Sequence, residues 1–470
     1  MIRELAATLL ESTALVVLVY YLFVNGSYLL VHFAALFELR DEMREDDWGP
    51  LFSPFDSPFL PGVAIVVPAY DEAPVIVESV QSMLDTNYPD VEVVVVNDGS
   101  TDDTLERLVE AFDLVAVDAT VPIDTPSEPV HAVYRSTDAL SLTVVDKDNG
   151  GRADALNAGI WLTDQPLFCA VDADSIIDRD GLLAVVQPFL NHPEETVATG
   201  GTIGVANGCT VEDGQMTTVG LPNRLLPRLQ VSEYLRAFYS GRLGLDRLQG
   251  LLLISGAFGV FRTEVVRQVG GYDTDNVTED FELVMRLHQR LTAWDRDYRV
   301  EFVPGPVVWT EVPGDREALR RQRTRWYRGL LATLRQYRPM VGRRRYGPLG
   351  WFVLPAFVLA EAVGPLVEGF GYVVVLVGFA LGLVDPRFTL AYFAVTAGVG
   401  LVLSWGGVYS EVWSYRRYEH PRQVLELLWL GVLENFGYRQ WKTYVAWRGL
   451  FEYLRGVESW GEMTRSGFDD

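Results

Sequence analysis

Two residue types are nearly missing from this chain of 470 residues: lysine and cysteine. Lysine stands only at 147 and 442, so arginine supplies almost all of the 39 basic residues set against 63 acids. The formal net charge is −24 and the pI about 4.6. A chain of that sign repels a phosphate backbone, which excludes nucleic acid as a partner. Dense carboxylates with little lysine keep a protein hydrated at high ionic strength, and the composition predicts a halophilic source. Cys169 and Cys209 form no disulfide framework and lack zinc-site spacing; both read as ordinary buried thiols, Cys169 inside a core strand. Neither GxxxxGK[ST] nor GxGxxG occurs, which disfavours an ATPase or a dinucleotide enzyme.

What is present in excess is apolar. Hydrophobic residues make up 49% and mean hydropathy is +0.11. An acidic soluble protein is not expected to be that apolar, so the excess points to membrane segments. Residues 13–37 carry only Asn25 and His32 as strongly polar members, about the length that spans a bilayer. They read as an anchor within residues 1–40, with Arg40 and Arg44 on the cytoplasmic side. Residues 41–62 are acidic and proline-rich, a linker. Apolar blocks return at 349–384 and 388–409, followed by a semi-polar stretch at 424–454. Two crossings are expected between the central domain and the Arg416–Arg417 loop. Just before them, residues 315–345 hold eleven arginines. A basic amphipathic stretch beside membrane segments is expected along the cytoplasmic interface.

Between the apolar ends the texture is that of an α/β domain, residues 63–312. Val63–Val67 reads as a strand stopped by Pro68-Ala-Tyr-Asp-Glu72, and residues 73–86 have helical spacing. Val91–Val96 is a second strand, stopped by Asn97-Asp-Gly-Ser100, and Thr101 to Phe112 restarts a helix with Ser100 or Thr101 as N-cap. A third apolar run, Phe168–Val171, stops at Asp172-Ala-Asp174. Short apolar strands each followed by a helix form the βαβ signature of a parallel sheet. Glu72, Asp98, Asp172 and Asp174 then share one edge, where open α/β sheets bind ligands. Asp172 and Asp174 have no cation near them in sequence, the nearest being Arg152 and Arg179. Such paired acids suit a hard divalent ion, Mg²⁺ or Mn²⁺.

Lys147-Asp-Asn-Gly-Gly-Arg-Ala-Asp154 adds paired glycines leading into a helix and flanked by two cations, a pattern that receives anions. Ile254–Phe261 is apolar with small residues that permit close ligand approach. Thr278-Glu-Asp280 opens a helix running from Phe281 to Arg290, with Thr278 as a fair N-cap.

In this order, Pro68–Glu72, Asn97–Ser100, Asp172–Asp174, Thr278–Asp280 and Gln322-Arg-Thr-Arg-Trp326 resemble the motifs of membrane-embedded glycosyltransferase family 2. That group comprises the cellulose, chitin, hyaluronan and poly-N-acetylglucosamine synthases, and the likeness runs from about Val63 to Phe468. It implies a GT-A-type domain with a mostly parallel sheet and α-helical transmembrane segments at both ends. Residues 313–348 become an interfacial segment bearing the Gln-x-x-Arg-Trp motif, and 349–470 a transmembrane and interfacial region. By resemblance, Tyr70 and Glu72 meet the nucleotide base, Asp98 the ribose or base, and Lys147 and Arg152 the diphosphate. Arginine at 152 departs from the lysine usual there, exchanging a point charge for a fork. Asp172 contacts the donor, Asp174 and Asp172 hold Mg²⁺ or Mn²⁺, and Asp280 is the general base. Gln322, Arg325 and Trp326 hold diphosphate and acceptor sugar. The implied enzyme is an inverting transferase using a UDP-sugar at the cytoplasmic face of the cell membrane, in contact with membrane lipids. It extends a polysaccharide or, alternatively, places one sugar on a lipid carrier.

Overall fold

The computed structural model describes residues 2–46, 60–119, 127–137, 141–212, 214–382 and 386–457. Most of the expected 41–62 linker and the end of the expected C-terminal region, 458–470, lie outside them. Contacts divide the chain into two compact units. One comprises the described residues of Leu39–Tyr234 and Leu251–Gly314; the other comprises the described residues of Met1–Glu38, Leu235–Gly250 and Asp315–Gly461.

The first unit is built on a ten-stranded mixed sheet. Its strands are β1 (Val63–Ala69), β2 (Val91–Asp98), β3 (Leu114–Val117), β4 (Val130–Ser136), β5 (Leu142–Lys147), β6 (Leu167–Val171), β7 (Ser175–Ile177) and β8 (Thr196–Val205). After a separate small hairpin of β9 (Thr210–Glu212) and β10 (Gln215–Thr218), β11 (Phe258–Arg262) and β12 (Arg299–Thr310) complete it. The order is β3-β4-β5-β2-β1-β6-β11-β8-β12-β7. Its centre, β5-β2-β1-β6, is parallel, and so is the pair β8 and β12. The remaining pairings are antiparallel, which the sequence reading did not separate from the parallel core.

Continuous apolar runs such as Val63–Val67 suit a central parallel strand because both faces are covered, and all five of these residues are fully buried. Helix α4 (Arg152–Leu162) covers β2, β4 and β5 through a cluster of Val94, Val96, Val133, Val145, Ala155 and Ala158. Each buried valine there contributes about 1.5–3 kcal/mol. The helix lies close enough to β1 that a side chain at Gly159 would start 2.3 Å from Val66 Cγ1, so only glycine fits.

Two helices begin later than their spacing suggests. α2 spans Ile76–Leu84 and α3 spans Thr104–Ala111. Ahead of α2, the amides of Val75 and Ile76 close a turn on the carbonyl of Glu72, both at 3.0 Å. Ahead of α3, Thr101 N donates to Asp71 Oδ1 at 2.6 Å, so residues 101–103 serve a loop rather than a helical turn. The N-cap is therefore Asp103, in place of the expected Ser100 or Thr101.

Helix α1 (Ile2–Asp46) runs unbroken, and its residues up to Glu38 belong to the other unit. Among the described residues, Val16–Asp41 and Leu349–Ala380 are long and apolar enough to cross a membrane. The second contains two π-helical stretches, Leu349–Val353 and Val358–Val363.

Candidate active site

The loops that follow β1 and β2 are tied into one body. Asp71 adopts a left-handed backbone, φ 54°, and its Oδ1 accepts the amide of Thr101 at 2.6 Å. In return Asp71 N donates to Ser100 Oγ at 3.1 Å, Glu72 N to Thr104 Oγ1 at 2.9 Å, and Ala73 N to Asp102 Oδ2 at 3.2 Å. Tyr70 is left 45% exposed on this body, while Glu72 is buried.

Asp98 ends β2 directly opposite Lys147, which ends β5. Its Oδ1 accepts from Lys147 Nζ at 2.9 Å and from Gly150 N at 3.0 Å, and its Oδ2 from Gly151 N at 2.8 Å. The glycine turn thus wraps the carboxylate of Asp98. Lys147 also reaches Asp154 Oδ2 at 2.6 Å and the carbonyl of Asp148 at 2.6 Å. Burial opposes the Lys147 charge, but the bonds to Asp154 and Asp98 outweigh it and hold its pKa above the usual value. A Cβ at Gly150 would stand 2.0 Å from Asp154 Oδ2, so a side chain there would displace the carboxylate that Lys147 holds. The resemblance implies Lys147 at the diphosphate and Asp98 at the nucleoside; in the structure the two also pair with each other.

Past β6, Asp172 and Asp174 lie at the same edge of the sheet. Asp172 keeps a third of its side chain exposed, whereas Asp174 is almost sealed and its Oδ1 accepts from Thr310 Oγ1 at 3.3 Å. Sequence left Asp172 without a cation; the fold supplies Arg152, whose Nε donates to Asp172 Oδ1 at 2.9 Å. The two sit 20 positions apart and meet because α4 starts at the edge where β6 ends. The same guanidinium donates to Glu279 Oε1 at 2.5 Å and to the carbonyl of Gly256 at 2.6 Å. Burial works against the Arg152 charge, yet Asp172 and Glu279 overcome it, so its pKa is raised. Burial pushes the Glu279 carboxyl up, and the neighbouring Arg152 pulls the other way.

Asp280 opens α9 (Glu279–Ala293) one residue on. Its Oδ2 accepts from Gly256 N at 2.9 Å and its Oδ1 from Phe281 N at 2.7 Å. Thr278 is the N-cap residue by position, but its side chain makes no capping bond. Asn157, on α4, brackets the approach to α9: its Oδ1 accepts from Tyr272 N at 2.7 Å and its Nδ2 donates to Tyr272 O at 3.0 Å. Asp154 and Gly256 fall inside stretches the sequence marked, Lys147–Asp154 and Ile254–Phe261, without a role of their own; Asn157 and Thr310 were not given a role in sequence and are placed by tertiary structure.

Gln322, Arg325 and Trp326 belong to the other unit, on α10 (Arg316–Gln336). Asp315 caps that helix by accepting from Glu317 N and Ala318 N at 2.8 and 2.9 Å. Trp326 is 37% exposed, with Arg323 stacked over its ring at 4.3 Å. The Oε1 of Gln322 is buried and has no hydrogen-bond partner among the described residues.

Hard oxygen donors suit Mg²⁺ or Mn²⁺, and such ions often take one or two protein carboxylates with substrate phosphates completing the shell. Asp172 and Asp174 meet that requirement. No group of three or more potential ligands occurs among the described residues.

Parallel strands ending in acids at one edge, with antiparallel strands beyond, define a GT-A-like fold. The chain belongs to glycosyltransferase like family 2, whose profile matches residues 61–329, and it is a glycosyltransferase. It is 26% identical over 271 residues to a poly-beta-1,6-N-acetyl-D-glucosamine synthase of Staphylococcus epidermidis, covering 57% of this chain and 54% of that one. It is also 26% identical over 273 residues to the synthase of that name in Staphylococcus aureus strain COL, covering 57% and 55%. The chain thus matches about half the length of these curated relatives. Among solved structures, the mannosyltransferase PcManGT of Pyrobaculum calidifontis, in complex with GDP-Man and Mn²⁺, superposes with a TM-score of 0.51 at 20% identity. That likeness covers 88% of this chain and 99% of that one.

Proposed function

We propose that this glycosyltransferase moves a sugar from a nucleotide donor, a UDP-sugar, to a growing polysaccharide at the cytoplasmic face of the membrane, with inversion. The observation that carries the reading is the gathering of Asp172 and Glu279 on Arg152, with Asp280 joined to them through Gly256, at the carboxyl edge of the parallel strands. Relatives named for polymerising N-acetylglucosamine support the product class.

In this mechanism Tyr70 and Glu72 receive the base at the joined loops after β1 and β2. Asp174 and Asp172 would hold a divalent ion, which when bound would supply positive charge against the leaving diphosphate. The acceptor hydroxyl gives its proton to a carboxylate oxygen of Asp280 as its own oxygen bonds to the anomeric carbon. The bond from that carbon to the diphosphate breaks on the opposite face, so an α-linked donor yields a β-linkage. General-base help of this kind is worth roughly 10²–10⁴-fold. Gln322, Arg325 and Trp326 hold acceptor and diphosphate, the indole suiting a sugar's apolar face. Asp98 faces the ribose or base and Lys147 the diphosphate, and their ion pair also shapes the glycine turn.

The alternative product is a single sugar on a lipid carrier. What favours it is the short apolar region after residue 349, where one helix among the described residues, Leu349–Ala380, is long and apolar enough to cross a membrane. Membranes containing the enzyme, incubated with labelled UDP- and GDP-sugars plus Mg²⁺ or Mn²⁺, separate the readings by product size. A long chain supports synthesis of a polymer, one residue extractable with lipid supports the carrier, and no transfer from any UDP-sugar overturns the donor class.

A further inference from the structure

Arg152 stands where three chain segments meet. It holds Asp172 after β6, the Gly256 carbonyl before β11, and Glu279 at the start of α9, at 2.9, 2.6 and 2.5 Å. Its link to Asp280 runs through Gly256. The carbonyl of Gly256 accepts from Arg152, and its N–H donates to Asp280 Oδ2 at 2.9 Å. With Phe281 N on Oδ1 at 2.7 Å, both oxygens of Asp280 rest on backbone donors and the plane of the carboxylate is fixed.

We propose that Arg152 is a positioning residue for Asp280, holding the Gly256 backbone that orients the carboxylate and engaging Glu279 so that only Asp280 is offered to the acceptor. The proposal rests on the reading of Asp280 as the base. It differs from a diphosphate contact at this position, because the donors of Arg152 are directed at the protein itself. The planar fork is what makes this possible: one guanidinium reaches three acceptors in different directions, where an ammonium on a flexible stem has no fixed geometry. Side-chain exposure of 18% for Arg152 and 7% for Glu279 shows that the pair is built into the protein rather than laid on its surface. Asn157 anchors the same helix to Tyr272, so α4 grips the segment before α9 at two places.

The test uses the full chain in detergent, with Arg152→Lys and Arg152→Met. Hydrogen exchange of residues 253–257 and 279–282 is followed without nucleotide. UDP binding is titrated with Mn²⁺ present, and UDP release is measured from UDP-N-acetylglucosamine. Loss of the charge-assisted contacts is expected to speed exchange in both segments about tenfold. UDP affinity should stay within about threefold while kcat falls, the split expected when ground-state binding survives. The fall should be roughly a hundredfold, as for a misplaced catalytic group. Arg152→Lys, which keeps the charge and loses the fork, should show most of the kcat loss; should Arg152→Met fail to fold, this variant decides. Unchanged exchange in the variants overturns the proposal, and so does a loss of UDP affinity with kcat preserved. If the unmodified enzyme releases no UDP from this sugar nucleotide, the choice of donor fails alone, and exchange still decides the role of Arg152.

Discussion

The ammonium of Lys147 and the carboxylate of Asp98 stand 2.9 Å apart on adjacent parallel strands, with side-chain exposures of 0% and 4%. Asp154 closes on the same ammonium at 2.6 Å. Removing one member of a buried ion pair strands the other charge and costs about 3–5 kcal/mol. Lys147→Met is therefore expected to lower the thermal midpoint of the full chain by roughly ten degrees. A midpoint that held steady while UDP affinity collapsed would leave Lys147 a diphosphate contact with no part in stability.

Asp280→Asn keeps the size of the side chain and removes its ability to take a proton. Turnover should fall by roughly 10²–10⁴-fold while UDP binding persists. Glu279 is a poor substitute because its carboxylate is engaged by Arg152. Near-normal turnover in Asp280→Asn would reduce that acid to a partner of Gly256 and Phe281.

Asp174→Asn is expected to weaken donor binding itself, since that carboxylate would hold the divalent ion through which the diphosphate binds. Isothermal titration of UDP with and without Mn²⁺ measures the difference. EDTA-treated, metal-free membranes should be inactive, and full turnover there removes the role given to Asp172 and Asp174.

His288 sets an acid limit on stability. Its Nε2–H donates to the carbonyl of Leu251 and its Nδ1 accepts from Tyr298 Oη, both at 2.9 Å. Burial pushes its pKa down to about 4. An unfolded histidine titrates near 6.5. Between those values the unfolded chain binds a proton that the folded ring refuses, so stability is lost as pH falls from about 6.5 toward about 4. The loss attributable to this ring is about 3 kcal/mol. Unfolding midpoints of the unmodified protein and of His288→Gln, compared from pH 7.5 to 4.5, should converge as pH falls; parallel curves exclude this account.

The arginine-rich segment should face the cytoplasm. Arg344 is exposed in its 3-10 turn, so Arg344→Cys is a fair reporter. An impermeant thiol reagent should label it in broken cells only. Labelling in intact cells inverts the topology.

The strand ends were legible because apolar runs such as Val91–Val96 stop abruptly at polar residues, and that local contrast survives folding. The acids at those ends could be assigned to one edge by periodicity and the parallel rule alone. What they touch could not. Arg152 and Asp172 are separated by 20 residues and Arg152 and Glu279 by 127, and no local pattern records either meeting. The start of α3 was misjudged for a related reason. Thr101 has the chemistry of a cap, but Asp71, 30 residues earlier, claims its amide. The antiparallel strands β3 and β4 were missed because they are short or half-exposed and carry no unbroken apolar run.

The stitching of Asp71 to Thr101 and of Glu72 to Thr104 has a consequence for altering nucleotide choice. The two loops do not vary independently: exchanging either alone breaks bonds that position the other. A chimera built to accept a different base should carry residues 70–73 and 97–104 as a single graft from one parent, and mixed parentage should cost expression before it changes selectivity.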